Sequence, residues 1–154
     1  MPTKNMAKRP APELQLSIQY PGGKVGAPTR AQVRRWVRAA CGQAAEVTVR
    51  FVDQGEGREL NLAYRGKDYA TNVLSFPYQE THPLQGDLVI CLPVIATEAE
   101  AQGKTLEAHT AHLIVHGMLH LQGHDHETNA ADAAIMERRE REILATLGYP
   151  DPYE

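Results

Sequence analysis

The sequence predicts an α+β domain in which a small mixed sheet of about four strands is covered by about five helices. Three observations predict this class. Short apolar runs typical of strands fall before position 93, helical periodicity dominates the rest, and no repeat or linker divides the chain. We therefore assign residues 14–154 to one domain and expect the basic N-terminal arm, residues 1–13, to be disordered.

Four segments are predicted to be strands. Leu14–Tyr20 alternates strictly between apolar and polar residues, which is typical of a strand with one buried face. The other three are short apolar runs: Val47–Val52, Val73–Pro77 and Asp87–Leu92. A loop that holds His82 and Pro83 separates the last two.

Helices are predicted between these strands. The first is capped by Thr29 and runs to about Cys41. Its inward stripe consists of Val33, Trp36, Val37 and Ala40. A short helix across Arg58–Tyr64 is expected to point Leu60 and Tyr64 inward, and another helix opens at Pro93.

Two longer helices complete the prediction. One spans Thr105–Gln122 and stops at Gly123, which can adopt the left-handed conformation of a helix end. The other spans Thr128–Leu147 and is stopped by Gly148. The apolar stripe of this last helix consists of Ala133, Met136, Ile143 and Leu147.

Composition excludes several classes of protein. Hydrophobic residues make up 42% and charged residues 23%, as is ordinary for a soluble globular protein. No run approaches the roughly 18 apolar residues of a membrane helix, and the N-terminus lacks a signal peptide, so we expect a cytoplasmic protein without a membrane partner. Cys41 and Cys91 have no CxxC spacing and are expected to be buried apolar fillers in a reducing compartment.

The net charge of −3 is unevenly distributed. Residues 1–76 hold twelve Lys or Arg and six Asp or Glu, a balance of +6, whereas residues 77–154 hold four and thirteen, a balance of −9. A basic face that binds nucleic acid would produce this asymmetry, and so would solvated helix faces that differ in sign.

A cluster of histidines is the strongest chemical signal. His116 and His120 lie four residues apart on a predicted helix, which places them about 40° apart around its axis and about 6 Å apart along it. Both imidazoles can therefore reach one metal ion. Beyond Gly123, His126 can supply a third nitrogen. Three histidines leave the fourth position of a tetrahedral zinc ion open to water, which is typical of a catalytic site, here at the end of a central helix.

The neighbouring residues allow alternatives. His109 and His112 share the helical face of the pair, where they either line a cleft and support the ligands or are ordinary structural histidines. His124 is expected to be a neighbour of the site and not a ligand. Asp125 either holds a ligand ring through its second nitrogen or is an exposed loop carboxylate.

The same spacing, HxxxHxxGxxH, occurs in metzincin proteases, in which the residue after the first histidine is the glutamate that acts as general base. Here that residue is Gly117. A zinc metallopeptidase therefore remains an alternative only if another carboxylate replaces the missing one.

Two long motifs, Leu60–Pro77 and Val115–His126, follow each other in the chain with Gly86–Cys91 between them. Together they resemble the YbeY family of rRNA-maturation endoribonucleases over about residues 14–148. Ala70 stands where a proline is usual, and His124 where tyrosine is frequent. The resemblance implies one zinc ion on three ligands, a functional arginine, and single-strand-specific RNA cleavage linked to 16S rRNA 3′-end maturation and ribosome quality control. The implied ligands are His116, His120 and His126, and the implied arginine is Arg65.

On this resemblance we expect Arg65 to hold the scissile phosphate through paired hydrogen bonds. Lys67, Ser75 and His112 are further candidates for substrate binding. The basic face of the first helix is a candidate for contacts with the RNA backbone; its residues are Arg30, Arg34, Arg35 and Arg38. The expected partners are single-stranded RNA, the 16S rRNA precursor, and the small ribosomal subunit with its assembly factors. The second alternative is a ribosome-associated factor whose metal is structural.

Overall fold

One mixed sheet organises the part of the chain that the computed structural model describes, which is residues 12–78, 82–124 and 129–154. Its four strands are β1 (Leu14–Gln19), β2 (Ala45–Val52), β3 (Val73–Pro77) and β4 (Leu84–Cys91). They lie in the order β1-β2-β4-β3; β1, β2 and β4 run parallel, and β3 is antiparallel to β4. The predicted α+β class with a small mixed sheet is confirmed. Most of the predicted arm, residues 1–11, lies outside the described residues.

Five helices accompany the sheet: α1 (Arg30–Ala40), α2 (Gln54–Arg65), α3 (Leu92–Gln102), α4 (Leu106–Leu121) and α5 (Ala130–Leu147). Side-chain caps set several starts. Thr29 accepts a hydrogen bond from the backbone N–H of Gln32, whose side chain bonds back to Thr29, and Thr105 caps α4 in the same position. The predicted inward stripe of α1 is buried as expected. The predicted start of the last helix at Thr128 lies outside the described residues; Asn129 caps α5.

The central helix is α4, which packs against the sheet and against α1, α3 and α5. Its side chains are buried on nearly every side, including Leu113, Ile114, Met118 and Leu119. Because most of its surface is apolar and buried, α4 is enclosed by other elements except along the face that carries its histidines. This enclosure fixes the orientation of the polar side chains that α4 does carry.

Helix α2 differs from its prediction at both ends. It begins four residues earlier than Arg58, because the Asp53 side chain accepts a hydrogen bond from the Glu56 backbone N–H at 2.8 Å. Two glycines in this first turn lower its helix propensity, so the sequence did not predict it as helical. One of them, Gly57, is buried, and a Cβ there would lie 3.2 Å from the Cys91 sulfur. The close contact with Cys91, and not helix propensity, thus explains why residue 57 is a glycine.

The prediction that Tyr64 points inward is wrong, since 67% of this residue is exposed. Leu60 does pack inward, against a small second core on the outer face of the sheet. One helical turn later α2 reaches β3, the edge strand, and Tyr64 meets Phe76 of that strand at the rim of the sheet. The sheet has therefore ended before it can cover the Tyr64 ring.

Both cysteines are buried free thiols, as predicted. None of the described helices is long and apolar enough to cross a membrane.

Candidate active site

An open cleft of about 970 Å³ lies between the end of α2, strand β3, helix α4 and the C-terminal tail. Arg65 enters it from the last position of α2, and Ser75 from β3. Four histidines enter it from α4, and Tyr153 enters it from the tail. Residues that are distant in the sequence thus face one solvent-accessible space.

The four histidines follow one face of α4. Successive ring centroids are 6.1 Å apart for His109 and His112, 6.3 Å for His112 and His116, and 4.9 Å for His116 and His120. The spacing of three and four residues places them on one side of the helix. The structure thus brings together the predicted pair of ligands, His116 and His120.

The predicted third ligand, His126, lies outside the described residues, as does Asp125. No three His, Cys, Asp or Glu side chains within residues 12–78, 82–124 and 129–154 are grouped in a way that could hold a metal ion. Gly123 has the predicted left-handed conformation, with φ of 96°, and the His124 backbone N–H donates to Leu119 O at 3.0 Å. The chain therefore turns sharply just after the histidine pair. The complete ligand set stays a prediction.

A buried carboxylate, Glu140 of α5, lies behind the histidines with a side chain only 1% exposed. Its oxygens lie 2.9 Å from His112 Nε2 and 3.2 Å from His116 Nδ1, and the Tyr153 hydroxyl donates to both oxygens at 2.8 Å. Burial raises the pKa of this carboxyl, but the hydrogen bonds to His112 and His116 outweigh burial and lower the pKa to about 2. The group is therefore an ionised acceptor surrounded by three donors.

The Tyr153 hydroxyl stays protonated and donates its hydrogen bond to Glu140. Burial raises its pKa, and the negative charge of Glu140 raises it further, so the phenol keeps its proton. The tail that carries Tyr153 is itself held, because the Lys104 ammonium donates to Pro152 O at 2.7 Å. The C-terminal residues thus belong to the wall of the site.

Two described side chains, those of His116 and His120, carry the nitrogen donors that a zinc ion prefers. The Nδ1 atom of His116 faces Glu140, so Nε2 is the atom with which this ring would bind a metal. A carboxylate on the other nitrogen of a ligand histidine fixes the tautomer and the direction of the ring, and strengthens the ligand. The sequence suggested Asp125 for such a role and missed Glu140. A signal was present, because Glu140 interrupts the apolar stripe of α5 between Met136 and Ile143.

His109 has a different role from the pair. Its Nε2 lies 2.9 Å from Glu98 Oε1, and the same carboxylate accepts a hydrogen bond from Asn72 Nδ2 at 3.1 Å. Burial lowers the pKa of His109 even though Glu98 opposes that shift, so the ring is neutral. Because Asn72 immediately precedes β3, this contact ties the Arg65–Asn72 connection to helices α3 and α4.

Of the four predicted substrate-binding residues, three line the cleft and one does not. Arg65 is exposed and lines the cleft, where Gly66, with φ of 70°, ends its helix. Ser75 also lines the cleft, while its hydroxyl donates to Gly117 O at 3.4 Å. His112 lines the cleft and is bound to Glu140. Lys67 is exposed but is not among the lining residues.

The arginine face of α1 does not line this cleft. Arg34 donates to Leu14 O at 3.3 Å, and Arg35 donates to Leu147 O at 2.9 Å. Arg38 donates to Pro12 O. These guanidinium groups satisfy backbone carbonyls around α1, which gives them a structural role.

Gly117 is the point at which α4 lies closest to the sheet. A Cβ at this position would lie 2.8 Å from Leu88 Cδ2 and 3.3 Å from Ser75 Oγ. A side chain at residue 117 would therefore be driven into β3 and β4. A glutamate at this position could not face the His116–His120 pair without moving the helix away from the sheet.

The chain is similar to known proteins along most of its length. The family model described as "Endoribonuclease YbeY" matches residues 25–148. The endoribonuclease YbeY of Aromatoleum aromaticum is 59% identical over 143 residues, which cover 91% of this chain and 92% of that protein. The endoribonuclease YbeY of Nitrosomonas europaea is 52% identical over 161 aligned positions, covering 99% and 98% of the two chains.

A solved structure shares the fold. The solution structure of the Thermotoga maritima protein TM1509 superposes with a TM-score of 0.59 at 27% sequence identity. The match covers 84% of this chain and 87% of that one. The arrangement of sheet and helices is therefore not peculiar to this sequence.

Proposed function

The chain belongs to the YbeY family of endoribonucleases, and we propose that it is a zinc-dependent enzyme that cleaves single-stranded RNA in the cytoplasm. One observation carries the proposal. His116 and His120 stand side by side in a cleft that also receives the exposed guanidinium of Arg65. A metal-binding pair and an anion-binding group in one open space suit the cleavage of a phosphodiester.

The ligands proposed for zinc are His116, His120 and His126. When bound, zinc would polarise a phosphoryl oxygen and lower the pKa of a water molecule toward 7. Glu140 accepts from His116 and keeps the proton of that ring on Nδ1. Tyr153 and His112 also form hydrogen bonds with this carboxylate, and these bonds hold Glu140 in its position facing His116.

Arg65 binds the substrate phosphate in this proposal. Its planar guanidinium can donate two parallel hydrogen bonds to phosphate oxygens and offset the charge that develops during cleavage. No ion pair or hydrogen bond joins its side chain to another residue within the described ranges, so no carboxylate of those ranges competes for it. Lys67 and Ser75 remain secondary candidates for RNA contacts.

The two alternatives have less support. A peptidase of this spacing needs a glutamate where Gly117 packs against the sheet. A purely structural zinc is usually closed by four protein ligands, whereas this histidine pair lines an open cleft. The family resemblance extends our proposal to the 3′ end of the 16S rRNA precursor, and to work on the small ribosomal subunit with its assembly factors.

The proposed function is tested by offering zinc-loaded protein three substrates: an unstructured RNA, the same RNA annealed to its complement, and an unstructured peptide. We expect cleavage of the unpaired RNA, much slower cleavage of the duplex, and intact peptide. RNA binding should also weaken with salt, as phosphate contacts release counterions. Peptide hydrolysis with the RNA left intact would contradict the proposal and revive the peptidase alternative.

Glu140→Gln is expected to weaken zinc binding by about 10- to 100-fold, the usual cost of losing a partner behind a ligand. The amide keeps the volume but replaces an acceptor that faces three donors with a group that is half donor. The measurement is zinc affinity by competition with a chelator. Glu142→Gln is the matched control, because this glutamate lies on the same helix with its side chain 55% exposed. Equal affinities of the two variants would show that Glu140 does not support the site.

A further inference from the structure

Tyr64 is a large aromatic residue that the fold leaves in solvent at the edge of the cleft. It is 67% exposed, although it belongs to a helix whose other face packs on the sheet. Its ring centroid lies 5.0 Å from that of Phe76, with 63° between the ring planes. At this steep angle the two rings meet edge to face, so Phe76 supports the tyrosine without covering it.

The position of Tyr64 connects two cavities. It lines the cleft that holds the histidines, and it also lines a cavity of about 520 Å³ on the outer face of the sheet. Phe76 is shared by both cavities as well. The two rings therefore form a ridge between the histidine cleft and this neighbouring space.

Arg65 is the next residue of the same helix and lines the same cleft. Each nucleotide of a nucleic-acid strand has a phosphate and a base. A guanidinium can bind the phosphate while an exposed aromatic ring beside it stacks on the base. Burial in the core does not account for the ring, and its hydroxyl has no partner among the described residues. The arrangement suits a ligand that is anionic at one end and flat and aromatic at the other.

We propose that Tyr64, supported by Phe76, is a stacking platform for an unpaired nucleobase beside the phosphate that Arg65 holds. This inference rests on the proposed function and deepens it by naming the part of the RNA that is recognised. A base in a duplex is already stacked on its neighbours and must leave them to reach the platform, whereas a single strand offers its bases readily. Tyr64 is then one reason why unpaired RNA is preferred.

The test compares Tyr64→Ala, Tyr64→Leu and Tyr64→Trp in the zinc-loaded full chain. Stacking on one aromatic residue typically changes affinity by about 5- to 150-fold. We expect Tyr64→Ala and Tyr64→Leu to raise KM for single-stranded RNA by that factor with little change in kcat, and Tyr64→Trp to remain close to the wild type. Tyr69→Ala is the matched control, because Tyr69 is 56% exposed but does not line the cleft.

A series of RNAs, each with one base removed, identifies the contact. One abasic position should weaken the wild type and leave Tyr64→Ala unaffected, since the partner of the base is already gone. If Tyr64→Ala behaves like Tyr69→Ala, or if Tyr64→Leu binds as well as Tyr64→Trp, the platform does not exist. Equilibrium binding of a labelled single strand is measured in parallel. Should the wild type bind RNA without cutting it, the proposed function fails while this comparison still decides the role of Tyr64.

Discussion

Removing any one of three imidazoles is expected to empty the zinc site. His116→Ala, His120→Ala and His126→Ala should each yield protein with almost no zinc after dialysis, because two histidines rarely hold the ion tightly and three are the usual number in a catalytic site. The first two lie side by side in the cleft, and the third is named by the sequence spacing and the family resemblance. The measurement is the zinc-to-protein ratio by elemental analysis.

His124→Ala is the matched control for this series. It removes an imidazole two residues before His126, just after the turn at Gly123, from a residue expected to lie near the site without binding the ion. It should keep nearly one zinc per chain. Full occupancy in His126→Ala, or an empty site in His124→Ala, would reverse the assignment of the third ligand.

The parts of the fold that could be predicted from the sequence are those determined by residues that lie close together in the chain. The start of α1 was predictable because Thr29 and Gln32 form a capping box, and its buried face was predictable because Val33, Trp36 and Val37 recur with helical period. The His116–His120 pair was found in the same way, since four residues make about one turn. In each case the cause lies within a few residues of the effect.

The features that the sequence missed depend on distant partners. The first turn of α2 contains two glycines that lower helix propensity, and its structural reason is the close approach of Gly57 to Cys91 in β4. Tyr64 is exposed because the sheet ends at β3, which no property of α2 reveals.

Glu140 shows the same limit at the site itself. Glutamate on a long charged helix normally faces water, and its burial here requires His112, His116 and Tyr153 together. Its place in the apolar stripe of α5 was the one local indication. Both residues that the predicted inward faces did not account for lie at or near the cleft: Tyr64 lines it, and Glu140 lies behind two of the histidines that line it. Conflict between local pattern and tertiary position is expected at functional sites, where stability is not the only constraint on a side chain.

Arg65→Ala is expected to slow RNA cleavage by about 10²- to 10³-fold while leaving zinc content and thermal stability nearly unchanged. Loss of a preorganised donor to a developing oxyanion typically has an effect of this size. The side chain is exposed at the C-terminal end of α2, so its removal opens no cavity in the core. Arg65→Lys should recover little of the rate, because an ammonium lacks the planar pair of donors. The measurement is single-turnover cleavage by protein of verified zinc content.

Arg58→Ala provides the control, because the same helix carries it and its guanidinium pairs with Asp68 in solvent, with side chains 60% and 59% exposed. An exposed pair of this kind contributes little to stability, and Arg58 does not line the cleft, so this variant should cleave at the wild-type rate. The comparison separates a general loss of positive charge on α2 from the loss of one group that faces the histidines. If Arg58→Ala and Arg65→Ala slow the reaction equally, the effect is long-range attraction of RNA. If neither slows it, cleavage depends on the metal site alone, and Arg65 is an ordinary surface arginine.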